Sequence, residues 1–375
     1  MKILALGKFY PPYRGGMETL LAAWSEAFVA RGATVDAVVA NTRATTEVSV
    51  EQGVRVHRLA SWGSFWSVSL CPAYIWATRR MPADIWHAHF PNPLADVACL
   101  LGSKRTPLVL HYHSDIVRQA SAMRLYAPVL RRLLRRADRI VVATPRHIDY
   151  SDWLPEFRDK CEVIPFGLDL DRFAMTPARQ QEVARLRAEA GGQTIVLNIG
   201  RLVPYKGQRY LLEAARGLKA VVWIVGDGPL RKELEALAAE LGLADKVRFW
   251  GDVHADVLVN LLHACHIFAL PSITPNEAFG LVQIEAMACG KPVVACDLKS
   301  GVPFVNQHLV SGLNVPPMNA ARLHEALSEL VDKPERRSAL GAGAHARART
   351  EFDARVMVDR YWNLLERLHA PQNHR

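Results

Sequence analysis

The chain has 375 residues, half of them hydrophobic and 22% charged, with a formal net charge of +9. That length predicts two domains of ordinary size, and that composition excludes global disorder. The basic excess is denser before Leu170 than after it, which favours anionic partners such as a membrane surface, nucleic acid or a phosphorylated substrate.

Read in order, the first half alternates strand and helix. Lys2–Gly7 is an apolar strand, followed by the loop KFYPPYRGG and a helix running through Leu20, Leu21, Trp24 and Phe28 toward Gly32. Further strands are expected at Val35–Ala40, Val54–Arg58, Ile85–His87, Leu108–Leu110 and Ile140–Ala143, short continuous apolar runs of the kind that parallel sheets bury on both faces. Ile164-Pro165 and the residues to Phe173 read as the connection out of this domain. A second alternation follows: helix Pro177–Ala190, strand Thr194–Ile199, helix Gly207–Gly217, strand Ala220–Val225, helix Pro229–Leu241, strand Val247–Phe249 and helix Asp256–Cys265. Strand His266–Leu270, a helix through Leu281, Ile284 and Ala288, strand Val293–Cys296 and helices within Arg322–Leu330 and Arg336–Arg349 complete it. Ala354–Leu368 is amphipathic, with Val358, Tyr361, Trp362, Leu365 and Leu368 on one stripe. The architecture expected is α/β, two doubly wound domains facing across a cleft.

Six scattered cysteines, with no CxxC pair, predict buried thiols in a reducing cytosol. The opening KILALG is too short and too soon interrupted for a signal peptide, and no run approaches the 18 or so apolar residues of a membrane span. A soluble or peripheral protein is expected.

The candidate chemistry lies where strands give way to helices. Gly15-Gly16 serves either a tight turn or a backbone that must come close to phosphate or sugar. His113, in LHYHSD, follows a strand at the same sheet edge, where a lone histidine serves packing or a ligand; Ser114 and Asp115 are weaker candidates for acceptor contacts. Arg201 and Lys206 flank a flexible turn in GRLVPYKG, so both cations could converge on a diphosphate, Arg with a fork and Lys as a point charge. Gly226-Asp227-Gly228 ends another strand and would let a ligand approach the backbone. It is not a GxGxxG fingerprint, which argues against NAD. Pro271–Pro292, PSITPNEAFGLVQIEAMACGKP, lies between two short apolar strands. Glu277 sits in its loop and Glu285 about a turn inside its helix, with Phe279, Gly280, Leu281 and Val282 at the opening. Unpaired N–H groups there make an anion site, so carboxylates and amides together suit a ligand that is half polyol and half phosphate.

Glu277-x7-Glu285 within NEAFGLVQIEAMACGKPVV closely resembles the donor-site signature of retaining family 4 glycosyltransferases with the GT-B fold. GRL and KG of Gly200–Gly207 resemble that family's basic element, and VGDGP its base- or ribose-side loop. The resemblance runs from the glycine loop to about Pro317. It implies an acceptor-side domain over residues 1–167, a donor domain over 168–353 and a helix, 354–375, crossing back onto the first domain. It further implies Glu285 on the ribose, Glu277 on the donor sugar, Arg201 and Lys206 on the leaving diphosphate, and His113 with Gly16 completing the site. The expected activity is metal-independent, retaining transfer of a hexose from a GDP- or UDP-linked donor to a lipid-linked or oligosaccharide acceptor, with no further cofactor. SGVPFVNQ and HSDIV lean toward GDP-mannose or GDP-rhamnose users. Phe304 departs from the family, where a glutamate often follows the proline.

His87-x-His89 and His111-x-His113 have strand spacing suited to a metal but no evident carboxylate or cysteine supplement. Asp169-x-Asp171 is formally a DxD but reads as a turn and helix cap. Six arginines at 124, 131, 132, 135, 136 and 139, opposite Val129, Leu130, Leu133, Leu134 and Ala137, mark either a surface helix or one lying against anionic lipid. Trp62, Phe65, Trp66, Tyr74 and Trp76 with Arg79-Arg80 suit the same interface. The expectation is peripheral association with the cytoplasmic face of a membrane. Nucleic-acid binding lacks any recognition module. A nucleotide-sugar 2-epimerase of the same architecture is the alternative enzyme.

Overall fold

The computed structural model describes residues 1–13, 15–65, 68–115 and 120–370. The chain divides into two compact units, one formed by Met1–Pro165 with Met357–Arg375 and the other by Phe166–Val356.

The first unit is built on an eight-stranded sheet ordered Cys161–Val163, Arg139–Val142, Leu108–Tyr112, Ile85–Phe90, Lys2–Leu6, Thr34–Ala40, Val54–Leu59, Glu47–Glu51. All neighbours are parallel except the last pair. Period-two alternation sends the strand residues to two cores. Leu4, Leu6, Val38, Leu108 and Leu110 face one, with Tyr74 and the helix residues Leu130, Leu133 and Leu134. Ile3, Ala5, Val35, Val39 and Val109 face the other, with Trp24 and Phe28 of helix Gly16–Ala30.

The antiparallel edge strand Glu47–Glu51 was not foreseen, because Val48 and Val50 are exposed and its inner face is polar. Gln52 and Gly53, both with positive φ (47° and 82°), turn it back onto Val54–Leu59. Arg58 then bonds Ser49 and Glu51 across the pair. Several short elements were also missed, including helices Ala73–Arg80, Pro93–Leu101 and Pro145–Tyr150 and strand Gly312–Val315, where apolar runs are too brief to show a period.

Of the six arginines placed on one arc, three are exposed on helix Ala120–Arg136: Arg131, Arg132 and Arg135. Arg136 turns inward to the carbonyls of Ser103 (2.8 Å) and Thr106 (2.5 Å). Arg139 opens the next strand, and the side chain of Arg124 lies outside the described residues. Pro128 sits inside the helix. Tyr74 is not an interface residue. It is fully buried, and its hydroxyl lies 2.8 Å from the carbonyl of Gly7 and 3.0 Å from that of Val38. Trp66 and the side chain of Phe65 fall outside the described residues. Among the described residues no helix is long and apolar enough to cross a membrane.

From Met357 onward, helix Ala354–His369 belongs to the first unit. Met357, Tyr361, Leu364 and Leu365 are buried against the sheet core, with Val358, Trp362 and Leu368 packed at its margin. Tyr361 is the anchor: its ring lies 4.3 Å from Trp24 and 5.5 Å from Phe28, and its hydroxyl meets His87 Nε2 at 2.7 Å.

The second unit carries a six-stranded, wholly parallel sheet ordered Val247–Gly251, Ala220–Val225, Thr194–Ile199, Ile267–Leu270, Val293–Cys296, Gly312–Val315. Helices Pro177–Glu189, Gln208–Ala214, Arg231–Glu240, Ala255–Ala264, Leu281–Ala288, Ala320–Asp332 and Pro334–Glu351 cover it. Removing the Tyr361 ring should cost about 4 kcal/mol, in the range for deleting a buried aromatic side chain. Tyr361→Ala is therefore expected to lower the urea midpoint of the transition reporting the first unit, read by the fluorescence of Trp24. An unchanged midpoint would show that the terminal helix contributes nothing to that unit.

Candidate active site

In the second sheet the chain runs from Thr194–Ile199 outward to Ala220–Val225 and Val247–Gly251, then returns to pair Ile267–Leu270 with the other side of Thr194–Ile199. That reversal is a topological switch point. The loops leaving the carboxyl ends of these strands, 200–207, 226–230 and 271–280, therefore become neighbours where open α/β sheets hold ligands.

Backbone bonds tie the loops together. Gly200 N donates to Val225 O (3.0 Å), Leu202 N to Asp227 O (2.9 Å) and Ile273 N to Tyr205 O (2.8 Å). Gly226 has φ 114°, and a Cβ there would meet Gly200 O at 2.3 Å; one on Gly228 would meet Leu202 O at 2.5 Å. What these two glycines make room for is the neighbouring loop, a role the sequence reading did not foresee. Asp227 Oδ1 accepts from Gly228 N at 2.6 Å and stiffens the turn.

This arrangement brings Lys206 and Glu277 into contact. Lys206 Nζ lies 2.6 Å from Glu277 Oε2, and Ser272 Oγ donates to the same oxygen at 2.8 Å. Both charged side chains are largely withdrawn from solvent, at 14% and 10% exposure, so the contact is a desolvated ion pair. Arg201 is exposed on the same loop, and its carbonyl accepts from Gln208 Nε2 at 3.1 Å. Among the described residues no carboxylate pairs with the Arg201 guanidinium.

Phe279 is buried, with its ring 5.0 Å from Phe166 and 6.1 Å from Phe352. It anchors the turn at Gly280 (φ 70°) from which helix Leu281–Ala288 starts, and Leu281 is exposed. Of its first-turn amides, Gln283 N already donates to Gly280 O at 2.9 Å, while those before it have no carbonyl one turn back within the helix. Glu285 lies within this helix, where burial raises its pKa and the charge of Arg172 lowers it by less. Among the described residues no hydrogen bond or ion pair joins it to Lys206 or Glu277.

In the first unit, Gly15 is extended and a Cβ there would meet the carboxylate of Glu18. Gly16 opens its helix with nothing within 4 Å of the position a Cβ would take. His113 Nε2 bonds His89 Nδ1 at 2.9 Å, and burial pushes its pKa down to about 4. Asp115 is occupied locally: Tyr112, Ser151 and the Asp152 amide all donate to it.

The nitrogen atoms of His87, His89 and His111 lie within 4.8 Å of one another, and all three residues are buried. Among the described residues this group contains no carboxylate or cysteine, and His87 Nε2 already meets the Tyr361 hydroxyl at 2.7 Å. Asp169-x-Asp171 is a turn: Asp171 N donates to Asp169 Oδ1 at 3.1 Å, and Arg355 bridges Asp171 and Asp353. Phe304, the departure from the family pattern, packs 6.1 Å from Phe352, and Arg347 lies over both rings.

Ser272, Gln208 and Arg172 were missed in the sequence. Ser272 carried a faint signal, a small polar residue right after a buried strand. Gln208 and Arg172 carried none, since both act across turns that only the fold defines.

A carboxyl group whose folded-state pKa is raised binds protons more tightly in the native state, so its burial costs stability as pH rises through that value. Glu285→Gln should raise the melting temperature at neutral pH, and the gain should vanish below the ordinary glutamate value of 4.5. Calorimetry across pH 4 to 8 checks this; a destabilised variant at neutral pH would contradict the assigned burial.

Comparison with known proteins agrees with this geometry. The family described as glycosyl transferases group 1 matches residues 180–347, and the glycosyl transferase 4-like domain matches residues 15–167. The O-antigen chain mannosyltransferase C of Escherichia coli is 32% identical over 371 residues, covering 97% of this chain and 98% of its own. The D-rhamnosyltransferase WbpZ of Pseudomonas aeruginosa is 38% identical over 272 residues, 72% of this chain and 70% of its own. Among solved structures, Anabaena Alr3699/HepE in complex with UDP matches with a TM-score of 0.76 at 23% identity, over 98% of this chain and 100% of that one. WaaG, a glycosyltransferase involved in lipopolysaccharide biosynthesis, matches at 0.62 and 20%, over 97% and 99%. The fold is GT-B. The matched families are transferases, which decides against the 2-epimerase alternative. The chain belongs to the group 1 glycosyltransferases, with a first half of the family 4-like kind.

Proposed function

We propose that this glycosyltransferase moves a hexose of mannose configuration from a GDP-linked donor to a hydroxyl of a growing, lipid-linked glycan of the cell surface. Transfer would proceed with retention at the anomeric carbon and without a metal ion or further cofactor. The observation that carries the reading is the desolvated Lys206–Glu277 pair at the sheet's switch point, with Arg201 exposed on the same loop. Support for the sugar comes from the mannosyl- and rhamnosyltransferase relatives, and several further relatives are GDP-mannose-dependent by name.

In this reading Arg201 and Lys206 hold the diphosphate, together with the amides of Phe279, Gly280 and Leu281. Glu277 accepts hydroxyls of the donor sugar, Glu285 accepts those of the ribose, and Gly226-Asp227-Gly228 lies on the nucleoside side. For the first unit the reading keeps His113 as a sugar contact and Gly15-Gly16 as the place of close backbone approach. The bond from the anomeric carbon to the diphosphate oxygen breaks, and its electron pair leaves with that oxygen. The acceptor oxygen bonds the anomeric carbon on the same face, and its proton passes to the departing phosphate. Glu277 Oε2 already receives Lys206 and Ser272, so it is better suited to orient a sugar than to attack one. The cations act where charge develops on the leaving group, the place where fixed charge stabilises a transition state most.

Arg201→Ala should lower kcat by about 10² to 10³, the usual effect of losing one such donor, and a parent-like rate would sink the diphosphate role. In a thermal-shift assay, GDP should raise the melting temperature more than UDP or ADP. EDTA should leave the rate unchanged, and the product's anomeric configuration, read by NMR, should match the donor's.

The same reading places the protein peripherally on the cytoplasmic face of a membrane. Its support is a set of exposed residues in the first unit: Trp62 (67%), Trp76 (62%) with Arg80 stacked at 3.9 Å, and the exposed Arg131, Arg132 and Arg135. Indole rings insert at headgroup depth while arginines meet anionic lipid. The chain should sediment with anionic vesicles at low salt, and Trp62→Ala with Trp76→Ala should weaken this; absence of binding by the parent removes the membrane role.

A further inference from the structure

Four histidines line up along two strands of the first unit. His87 and His89 lie on one face of Ile85–Phe90, and the register sets His89 opposite His111 on Leu108–Tyr112, with His113 immediately beyond. Neighbouring rings are close: 4.7 Å between His87 and His89, 5.0 Å between His89 and His113, and 4.4 Å between His111 and His113. The first three histidines are buried to 1% exposure or less, whereas His113 is half-buried. Burial lowers the pKa of all four. A row of uncharged imidazoles is the consequence, and it lies too deep to be solvated surface.

The one hydrogen bond between two of these rings, His89 Nδ1 to His113 Nε2 at 2.9 Å, has two possible directions. His89 Nε2 decides between them, because it is buried and has no hydrogen-bond partner among the described residues. If His89 carried its proton there, a buried N–H would be orphaned, a costlier state than an unpaired lone pair. The proton therefore belongs on His89 Nδ1, which donates to His113 Nε2. An uncharged His113 that accepts at Nε2 carries its own proton at Nδ1, since the bond made by one ring nitrogen sets the state of the other.

We propose that His89 is a positioning residue for His113: by donating to Nε2 it fixes the ring and holds the Nδ1–H tautomer, so that His113 offers a hydrogen-bond donor to an oxygen of the transferred sugar. His113 is then not a general base. This inference rests on the reading of His113 as a sugar contact, but its central statement concerns a tautomer that can be measured without substrate.

The test uses the full-length enzyme with ¹⁵N-labelled histidine. Long-range ¹H–¹⁵N correlation spectra should show His113, assigned by its loss in His113→Ala, as a protonated Nδ1 with an unprotonated Nε2. The opposite pattern overturns the proposal whatever the activity data say. His89→Leu should move His113 toward the Nε2–H form and lower kcat roughly tenfold or more, with the donor KM little changed. His89→Asn, whose amide nitrogen falls near the original Nδ1, should restore most of the rate, and His89→Gln should not. Equal losses in Asn, Gln and Leu variants would reduce His89 to packing and overturn the positioning role. Parent-like activity in His113→Ala would instead remove the sugar contact while leaving the tautomer result intact. If His89→Leu fails to fold, the parent spectrum and the Asn and Gln pair still decide.

Discussion

A lysine and a glutamate 71 residues apart share one ion pair, and the second unit's site depends on it. Lys206 and Glu277 belong to loops that leave two adjacent parallel strands, and the loops are stitched by the bond from Ile273 N to Tyr205 O. Removing either charge would leave the other withdrawn from water, so the pair locks the relative position of the loops even where its net contribution to stability is small. Ser272 adds a second donor at the same carboxylate oxygen. The result is a carboxylate held in one orientation beside its cation.

Around that pair the second unit accepts electrostatic cost. Glu285 is a partly desolvated acid with only the charge of Arg172 to offset its burial. The glycines follow the opposite logic. Gly226 and Gly228 fit because the 200–202 loop presses on them, so their restriction is steric and internal.

The first unit solves a different problem. Its sheet is closed on one face by Trp24, Phe28 and the terminal helix, whose Tyr361 reaches His87. Beneath that aromatic layer the histidines stay uncharged, because burial opposes protonation. Tryptophans and arginines that join neither core are left exposed on the same unit.

The alternation of strands and helices was legible in the residues, because continuous apolar runs such as KILAL, AVVWIV and IFAL admit no other reading at that length. So was the identity of the charged groups at the strand ends, since NEAFG and GRLVPYKG carry them in local spacing. The partnership of Lys206 with Glu277 was not legible, nor was the demand that Gly226 and Gly228 clear a neighbouring loop. The first depends on the crossover that returns Ile267–Leu270 to the inner strand, and the second on the pairing of Thr194–Ile199 with Ala220–Val225. Likewise, the pattern of one helix could not tell that Arg136 turns inward, because the carbonyls of Ser103 and Thr106 that capture it belong to another segment. Periodicity and composition act over a few residues and determined the elements. Pairings across tens of residues depend on strand order and burial, and these only the packed tertiary structure decided.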